Sequence, residues 1–132
     1  MKKVLIITSN YYPEISKELT KSAEFFFLKK KYIIKKLYAP GAFEIPLIIA
    51  KNIKFFDGFV ALGCIIKGET PHFDFISQSI NYGFVKLSIE NKKPIGNGVL
   101  TCLSKLQATK RVIKGKEAAM VVDFILKNDV TK

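Results

Sequence analysis

GFVALGC, Gly58–Cys64, is apolar from end to end and reads as a strand. Lys3–Thr8 (KVLIIT) is a second short apolar run. Runs of this kind mark strands buried on both faces, as in parallel sheets covered by helices. Tyr32–Tyr38 (YIIKKLY) and Ile95–Thr101 (IGNGVLT) complete four strands, the last one loosened by two glycines. Between them the period changes. Ile15, Leu19, Ala23 and Phe26 recur at helical spacing and predict a helix to about Lys31. A second helix is expected from Glu44 to about Lys54, with Pro46 in its first turn. Ile76, Ile80, Phe84 and Leu87 predict a long helix from about Pro71 to Asn91, ended by Lys93-Pro94. Helical signal resumes near Ser104 and from about Lys116. Strand-helix alternation of this kind implies an α/β fold around a four-stranded parallel sheet, with right-handed crossovers.

The 132 residues are enough for one domain, expected to span 1–132. With 48% apolar and 25% charged residues the composition is that of a globular chain. No run approaches the roughly 18 apolar residues of a membrane span. MKKVLIITSN opens with lysines, but its apolar part, VLII, falls far short of the roughly 7–15 residues of a signal-peptide core. The expectation is a cytoplasmic chain without a membrane partner. Cys64 and Cys102 form no CxxC or Cys/His cluster, so they read as small core residues and no metal site is expected. The net charge of +11 suggests nucleic acid at first. However, Arg111 is the only arginine, the lysines are scattered, and readers of bases rely on arginine forks. No nucleic-acid partner is expected; the basic field suits a phosphorylated substrate.

Ligands of open parallel sheets bind in the loops at the carboxyl ends of the strands. Those loops are SNYYPE, PGAFE, IIKGETPH and the segment after Thr101. GETPHFDF, Gly68–Phe75, holds the only histidine, His72. Thr70-Pro71 is a helix-start signal, a hydroxyl cap followed by proline. His72 would then stand in the first turn, where an imidazole can move protons near neutral pH. A helix terminus favours a neutral ring and a nearby acid such as Asp74 can orient it, and both readings stay open. KGET offers main-chain N–H groups and the Thr70 hydroxyl, an anion site or simply a capped loop. Neither GxxxxGK[ST] nor GxGxxG occurs, so a bound phosphate would belong to a small substrate. Tyr11 or Tyr12 could stack on a planar heterocycle, or one could pack against the helix. Glu44 suits sugar hydroxyls or the helix N-terminus; Lys110, Arg111 and Lys114 suit phosphate or solvent.

PGAFEIP (Pro40–Pro46), LGCIIKGETPHFDFI (Leu62–Ile76) and GNGVLT (Gly96–Thr101) closely resemble the lumazine synthase family. The first two motifs are long and specific, and the loop order matches from about Lys3 to the final helix. The resemblance implies a flavodoxin-like three-layer α/β/α sandwich. It also implies a cofactor-free condensation of a ribitylamino diaminouracil with 3,4-dihydroxy-2-butanone 4-phosphate. The amine attacks the ketone, phosphate leaves, and ring closure gives 6,7-dimethyl-8-ribityllumazine, the penultimate step toward riboflavin. Residue by residue, His72 falls on the family's proton-transfer histidine. Tyr11 falls on the aromatic that stacks on the pyrimidine. Ala42, Phe43 and Glu44 match the segment that contacts the pyrimidine substrate, with Glu44 at the ribityl hydroxyls. Cys64, Ile65 and Ile66 match the main-chain segment that reads the pyrimidine edge. Glu69 and Thr70 match the phosphate loop, Arg111 the phosphate arginine, and Lys114 a lysine near it.

Three departures stand out. Asn97 occupies a position where many members carry a Phe over the pyrimidine and others carry Asn. The segment from Arg111 to Glu117 is shorter than usual, which leaves the register of Arg111 and Lys114 open. The N-terminus lacks the extension that in many members joins a neighbouring subunit. The resemblance implies a homo-oligomer, a pentamer or a shell of twelve pentamers, with Asn97 and Arg111 completing a neighbour's site at the subunit interface. The homopentamer is the expected state. A non-catalytic lumazine or flavin binder, an archaeal-type riboflavin synthase and a nucleic-acid module are the competing readings.

Overall fold

The computed structural model describes residues 1–68 and 72–128. Four strands, β1 (Lys2–Ser9), β2 (Tyr32–Ala39), β3 (Gly58–Ile66) and β4 (Ile95–Cys102), form one all-parallel sheet in the order β2-β1-β3-β4. The apolar runs at Lys3 and Gly58 are its two central strands, and every residue of β3 is buried. β2 and β4 lie at the edges, which is why their patterns are mixed. The order reverses at β1, so the crevice between the carboxyl ends of β1 and β3 is the switch point where ligands of such sheets bind.

Among the described residues five helices cover the two faces: α1 (Pro13–Phe27), α2 (Ile45–Asn52), α3 (Phe73–Asn91), α4 (Lys105–Thr109) and α5 (Lys114–Lys127). Val4, Ile6, Val60 and Leu62 pack against Leu19, Ala23, Ala119 and Val122 of α1 and α5 on one side. Leu5, Ile7, Phe59 and Ala61 pack against Ile45, Ile49, Ile80 and Phe84 of α2 and α3 on the other. The fold is thus α/β with helices on both faces, the flavodoxin-like arrangement.

Element boundaries differ from expectation in ways with local causes. Pro13, expected in a loop, is the first residue of α1, where its missing N–H leaves no helix bond unmade. α1 ends at Phe27 and not near Lys31. Two tight turns, Leu28 N–H to Phe25 O and Lys30 N–H to Phe27 O, reverse the chain into β2. Ala42–Glu44 form a 3-10 turn, so α2 starts at Ile45, with Pro46 in its first turn and its end at Asn52. α3 begins at Phe73, two residues later than the Thr70-Pro71 signal indicated, with His72 at its N-cap. The two glycines of β4 do not loosen it. A Cβ built on Gly96 would lie 2.2 Å from the Ala118 carbonyl oxygen, so bare backbone lets α5 approach the strand.

At the opposite end of the sheet from the strand-end loops, the Tyr32 hydroxyl donates to the Asp123 carboxylate at 2.6 Å. Asp123 is only 7% exposed and also meets Lys127 at 3.3 Å and Lys30 at 3.9 Å. Burial, then the bond to Asp123 and its charge, push the Tyr32 phenol up from 10.0 to about 12. A raised phenol pKa means that the folded state holds its proton longer than the unfolded chain. The stabilisation is therefore complete below pH 10 and is lost as pH rises toward 12. The urea midpoint of the wild type should exceed that of Tyr32→Phe at pH 9 and converge toward it by pH 12. A constant difference across that window would refute the linkage.

Candidate functional site

The loops at the carboxyl ends of the strands carry most of the expected residues. Tyr11 follows β1 and is 64% exposed. Tyr12 turns inward against the α1–α5 core, its ring edge-on to Tyr11 at 4.9 Å, with Lys105 Nζ 5.5 Å from its centroid. Of the two tyrosines, then, Tyr12 is the packing residue and Tyr11 offers an open ring face.

After β2 the chain makes the 3-10 turn. Ala42 is buried, and Phe43 and Glu44 are exposed. Glu44 lies at the N-cap of α2 but makes no capping hydrogen bond. Its carboxylate folds back over Gly41, where an added Cβ would stand 3.0 Å from Oε1. Any side chain at position 41 would therefore displace this carboxylate.

β3 overruns β1. The rungs between them end at Thr8–Leu62, while β3 continues to Ile66, paired with β4 as far as Cys102. Cys64, Ile65 and Ile66 thus extend into the switch-point crevice, all buried, with the Cys64 and Ile66 side chains in the α1–α5 core and Ile65 on the α3 side. Glu69, Thr70 and Pro71 lie outside the described residues. His72 follows at the N-cap of α3, exposed, its carbonyl accepting from Ile76 N–H at 2.8 Å. With Phe43, Phe75 and Ile76 it lines an apolar cleft of 570 Å³. An imidazole beside an aromatic wall at a helix N-terminus can pass a proton to a bound ring and leave the ring's faces to apolar contact.

Of the expected residues among those described, only His72 and Phe43 line this cleft; Tyr11 lines another, of 360 Å³, with Tyr12, Lys105 and Thr109, and three more lie farther along the sheet. Asn97 is the third residue of the edge strand β4, opposite Ala61, and its amide bonds to Asn81 of α3 at 2.9 Å. Arg111 and Lys114 line a separate cleft of 380 Å³ with Val99, Leu100, Thr101, Ile113 and Glu117. Lys114 also pairs with Glu117 at 3.8 Å in an exposed, weak contact. The Arg111 guanidinium reaches the buried Cys102 thiol. Burial raises the pKa of that thiol, and the neighbouring cation only partly offsets the rise.

The short turn that carries Arg111 is held by hydrogen bonds on both sides. Ser104 caps α4 by accepting from Gln107 N–H at 3.2 Å, and Gln107 Oε1 accepts from Leu103 N–H at 2.7 Å. Arg111 N–H then bonds Ala108 O, and Lys114 N–H bonds Arg111 O. From α1, the Ser22 hydroxyl donates to Val112 O and accepts from Lys116 N–H, both at 3.0 Å. Sequence reasoning missed Gln107, Ser22, Gly115 and Asn81. The Ser-x-x-Gln capping signal could have revealed Gln107. No local pattern marks the other three.

Among the described residues no cluster of His, Cys, Asp and Glu could hold a metal, and no helix is long and apolar enough to cross a membrane. The family profile described as 6,7-dimethyl-8-ribityllumazine synthase matches residues 1–127. A protein of that name from Corynebacterium kroppenstedtii is 38% identical over 109 residues, 83% of this chain and 69% of that one. Another, from Bartonella bacilliformis, is 37% identical over 118 residues, 86% of this chain and 78% of its own length. A third, from Bartonella tribocorum, is 38% identical over 111 residues, 82% of this chain and 74% of the other.

Proposed function

The chain belongs to the 6,7-dimethyl-8-ribityllumazine synthase family, transferases of riboflavin biosynthesis, and we propose that it carries out the family's condensation at a site shared by two subunits. The substrates are 5-amino-6-(D-ribitylamino)uracil and 3,4-dihydroxy-2-butanone 4-phosphate. The 5-amino group attacks the ketone, and loss of water leaves an imine. Loss of the proton on the adjoining carbinol carbon expels phosphate from the terminal carbon beyond it, and the enol left behind becomes a ketone. The ribitylamine nitrogen then closes the second ring with loss of another water. Each step moves protons between nitrogen, carbon and oxygen, and none needs an electron acceptor. Proximity and one proton shuttle carry most of the rate.

The observation that carries this reading is His72 at the N-cap of α3, facing the cleft it shares with Phe43. His72 is the proton shuttle. Tyr11 stacks on the pyrimidine, and Ala42, Phe43 and the Cys64–Ile66 main chain hold it. Glu44 binds the ribityl hydroxyls. Glu69 and Thr70, together with Arg111 and Lys114 of the neighbouring subunit, hold the phosphate, and the neighbour's Asn97 closes over the ring. Residues 1–132 act as one domain.

Two features support a shared site. The residues assigned to it divide within one chain between the His72 cleft, the Tyr11 cleft, the edge of β4 and the Arg111 cleft. In addition, α3 exposes Phe75, Tyr82, Val85 and Ile89, an apolar stripe of the kind that subunit contacts cover. A cyclic homopentamer in the cytoplasm satisfies both, since each ring contact then joins unlike faces.

Purified protein given both substrates should produce lumazine absorbance well above the uncatalysed background. His72→Ala should lower kcat about 100-fold, the low end for a lost general acid-base. When His72→Ala and Arg111→Ala subunits are unfolded together and reassembled in equal amounts, about a quarter of wild-type activity should return. That fraction follows because in a head-to-tail ring one contact in four, on average, joins an intact His72 to an intact Arg111. Mixed assemblies with no recovery would show that each chain builds its site alone. A folded wild type that makes no product would remove the enzymatic reading.

A further inference from the structure

Asn97 and Asn81 form a pair whose orientation is determined bond by bond. Val99 N–H donates to Asn97 Oδ1 at 3.1 Å. A main-chain N–H can only donate, so the atom facing it is the amide oxygen and the Asn97 amide cannot be turned over. Asn97 Nδ2 therefore points the other way and donates to Asn81 Oδ1 at 2.9 Å. The same logic then fixes Asn81, whose oxygen is used and whose NH2 faces outward. The pair retains one N–H on Asn97 and two on Asn81 for which no acceptor is found among the described residues. Both residues are exposed, and β4 is an edge strand, so the ledge opens to whatever approaches that edge.

We propose that Asn81 is a positioning and specificity-determining residue: it holds the Asn97 amide so that the pair presents hydrogen-bond donors only, and the ligand atom it selects is a carbonyl oxygen on the edge of a planar heterocycle. This rests on the reading that Asn97 closes the neighbouring subunit's site. A fixed set of donors favours an atom that only accepts. A hydroxyl of the polyol chain can also accept, but it must leave its own proton elsewhere. An apolar side chain at position 97 would cover the ring without distinguishing a carbonyl from a C–H. Asn97 with its orientation locked can make that distinction.

Wild type, Asn81→Ala, Asn97→Ala, the double variant and Asn81→Asp should be compared in two assays. One is steady-state kinetics with both substrates. The other is the Kd of the lumazine product from its fluorescence. Each alanine variant should raise the KM for the diaminouracil and the lumazine Kd about 5- to 10-fold. The double variant should be no worse than either single one, because the two residues act as a unit. Asn81→Asp, which still accepts from Asn97 but turns a carboxylate oxygen outward where the NH2 stood, should bind no better than Asn81→Ala, because the ledge is then no longer made of donors only. kcat and the KM for the butanone phosphate should stay within about twofold.

Additive losses, an Asn81→Ala variant with wild-type KM and Kd, or equal damage to both substrates would overturn the proposal. The diaminouracil without its ribityl chain identifies the acceptor. A penalty that persists with it supports the ring carbonyl, and one that vanishes assigns the ledge to the polyol and overturns the carbonyl. Wild-type turnover in the same series tests the enzymatic reading separately. Without turnover, the lumazine Kd values still decide the role of Asn81, and absence of lumazine binding in the wild type overturns it.

Discussion

Arg111→Ala should lower kcat/KM for the butanone phosphate by about 10²- to 10³-fold while leaving the KM for the diaminouracil nearly unchanged. Hydrogen bonds to a charged group contribute about 1.5–3 kcal/mol. Phosphate is also the leaving group, so donors placed on it act on the transition state as well, where loss of one costs about 2.7–4 kcal/mol. Arg111→Lys should recover only part of the loss. A guanidinium can grip two phosphate oxygens at once, and an ammonium acts as a point charge. The surroundings accentuate that difference, because the Arg111 head group lies against the buried Cys102 thiol and the turn beneath it is pinned by Gln107 and Ser22. Raising the salt concentration should weaken phosphate-substrate binding in the wild type more than in Arg111→Ala. Steady-state kinetics with each substrate varied in turn would check this. Unchanged kcat/KM in Arg111→Ala would move the phosphate to other cations and detach this turn from the site.

The second large effect concerns stability. Gly115→Ala should destabilise the fold by about 3 kcal/mol or more, the upper end for overpacking a filled interior. A Cβ there would lie 2.2 Å from the Leu19 carbonyl oxygen and 2.4 Å from the Ser22 hydroxyl. Neither can yield. The carbonyl is part of the α1 backbone, and the hydroxyl bonds Leu19 O, Val112 O and Lys116 N–H. Relief would require α1 and α5 to separate, which would open the core around Leu19, Ala119 and Val122. Ser22→Ala removes the bonds without the clash and should cost only about 1 kcal/mol. Urea unfolding of the three proteins gives the comparison. A loss below about 1 kcal/mol for Gly115→Ala would show that the two helices are not held this close. The effect should also reach the chemistry, since the same contact fixes the turn that carries Arg111.

The sheet was legible wherever a single short window contains the signal. GFVALGC and KVLIIT can be buried on both sides only as inner strands of a parallel sheet, and they are its two central strands. The spacing of Ile15, Leu19 and Ala23 gave α1 its buried stripe, although its ends moved because turns and prolines act at single residues. The lone histidine between strand three and the long helix was likewise legible, and it stands in the cleft with Phe43. Composition and spacing left Tyr11 and Tyr12 open, the resemblance pointed to Tyr11, and the core claims Tyr12.

By itself, the sequence determined the α/β alternation, the inner strands, the family and the loops where chemistry is to be sought. All of these follow from side-chain periodicity and short motifs, which act within a few residues of the chain. Only the tertiary structure decided that Asn97 and Arg111 lie apart from the His72 cleft, that Asn81 locks Asn97, and that Gly96 and Gly115 let α5 lie against strand and helix. Ser22 meets Val112 across 90 positions, and Asn97 meets Asn81 across 16. Such meetings depend on how whole layers pack, because a close approach is set by the sum of all the side chains between two backbones, and no local window of sequence contains that sum.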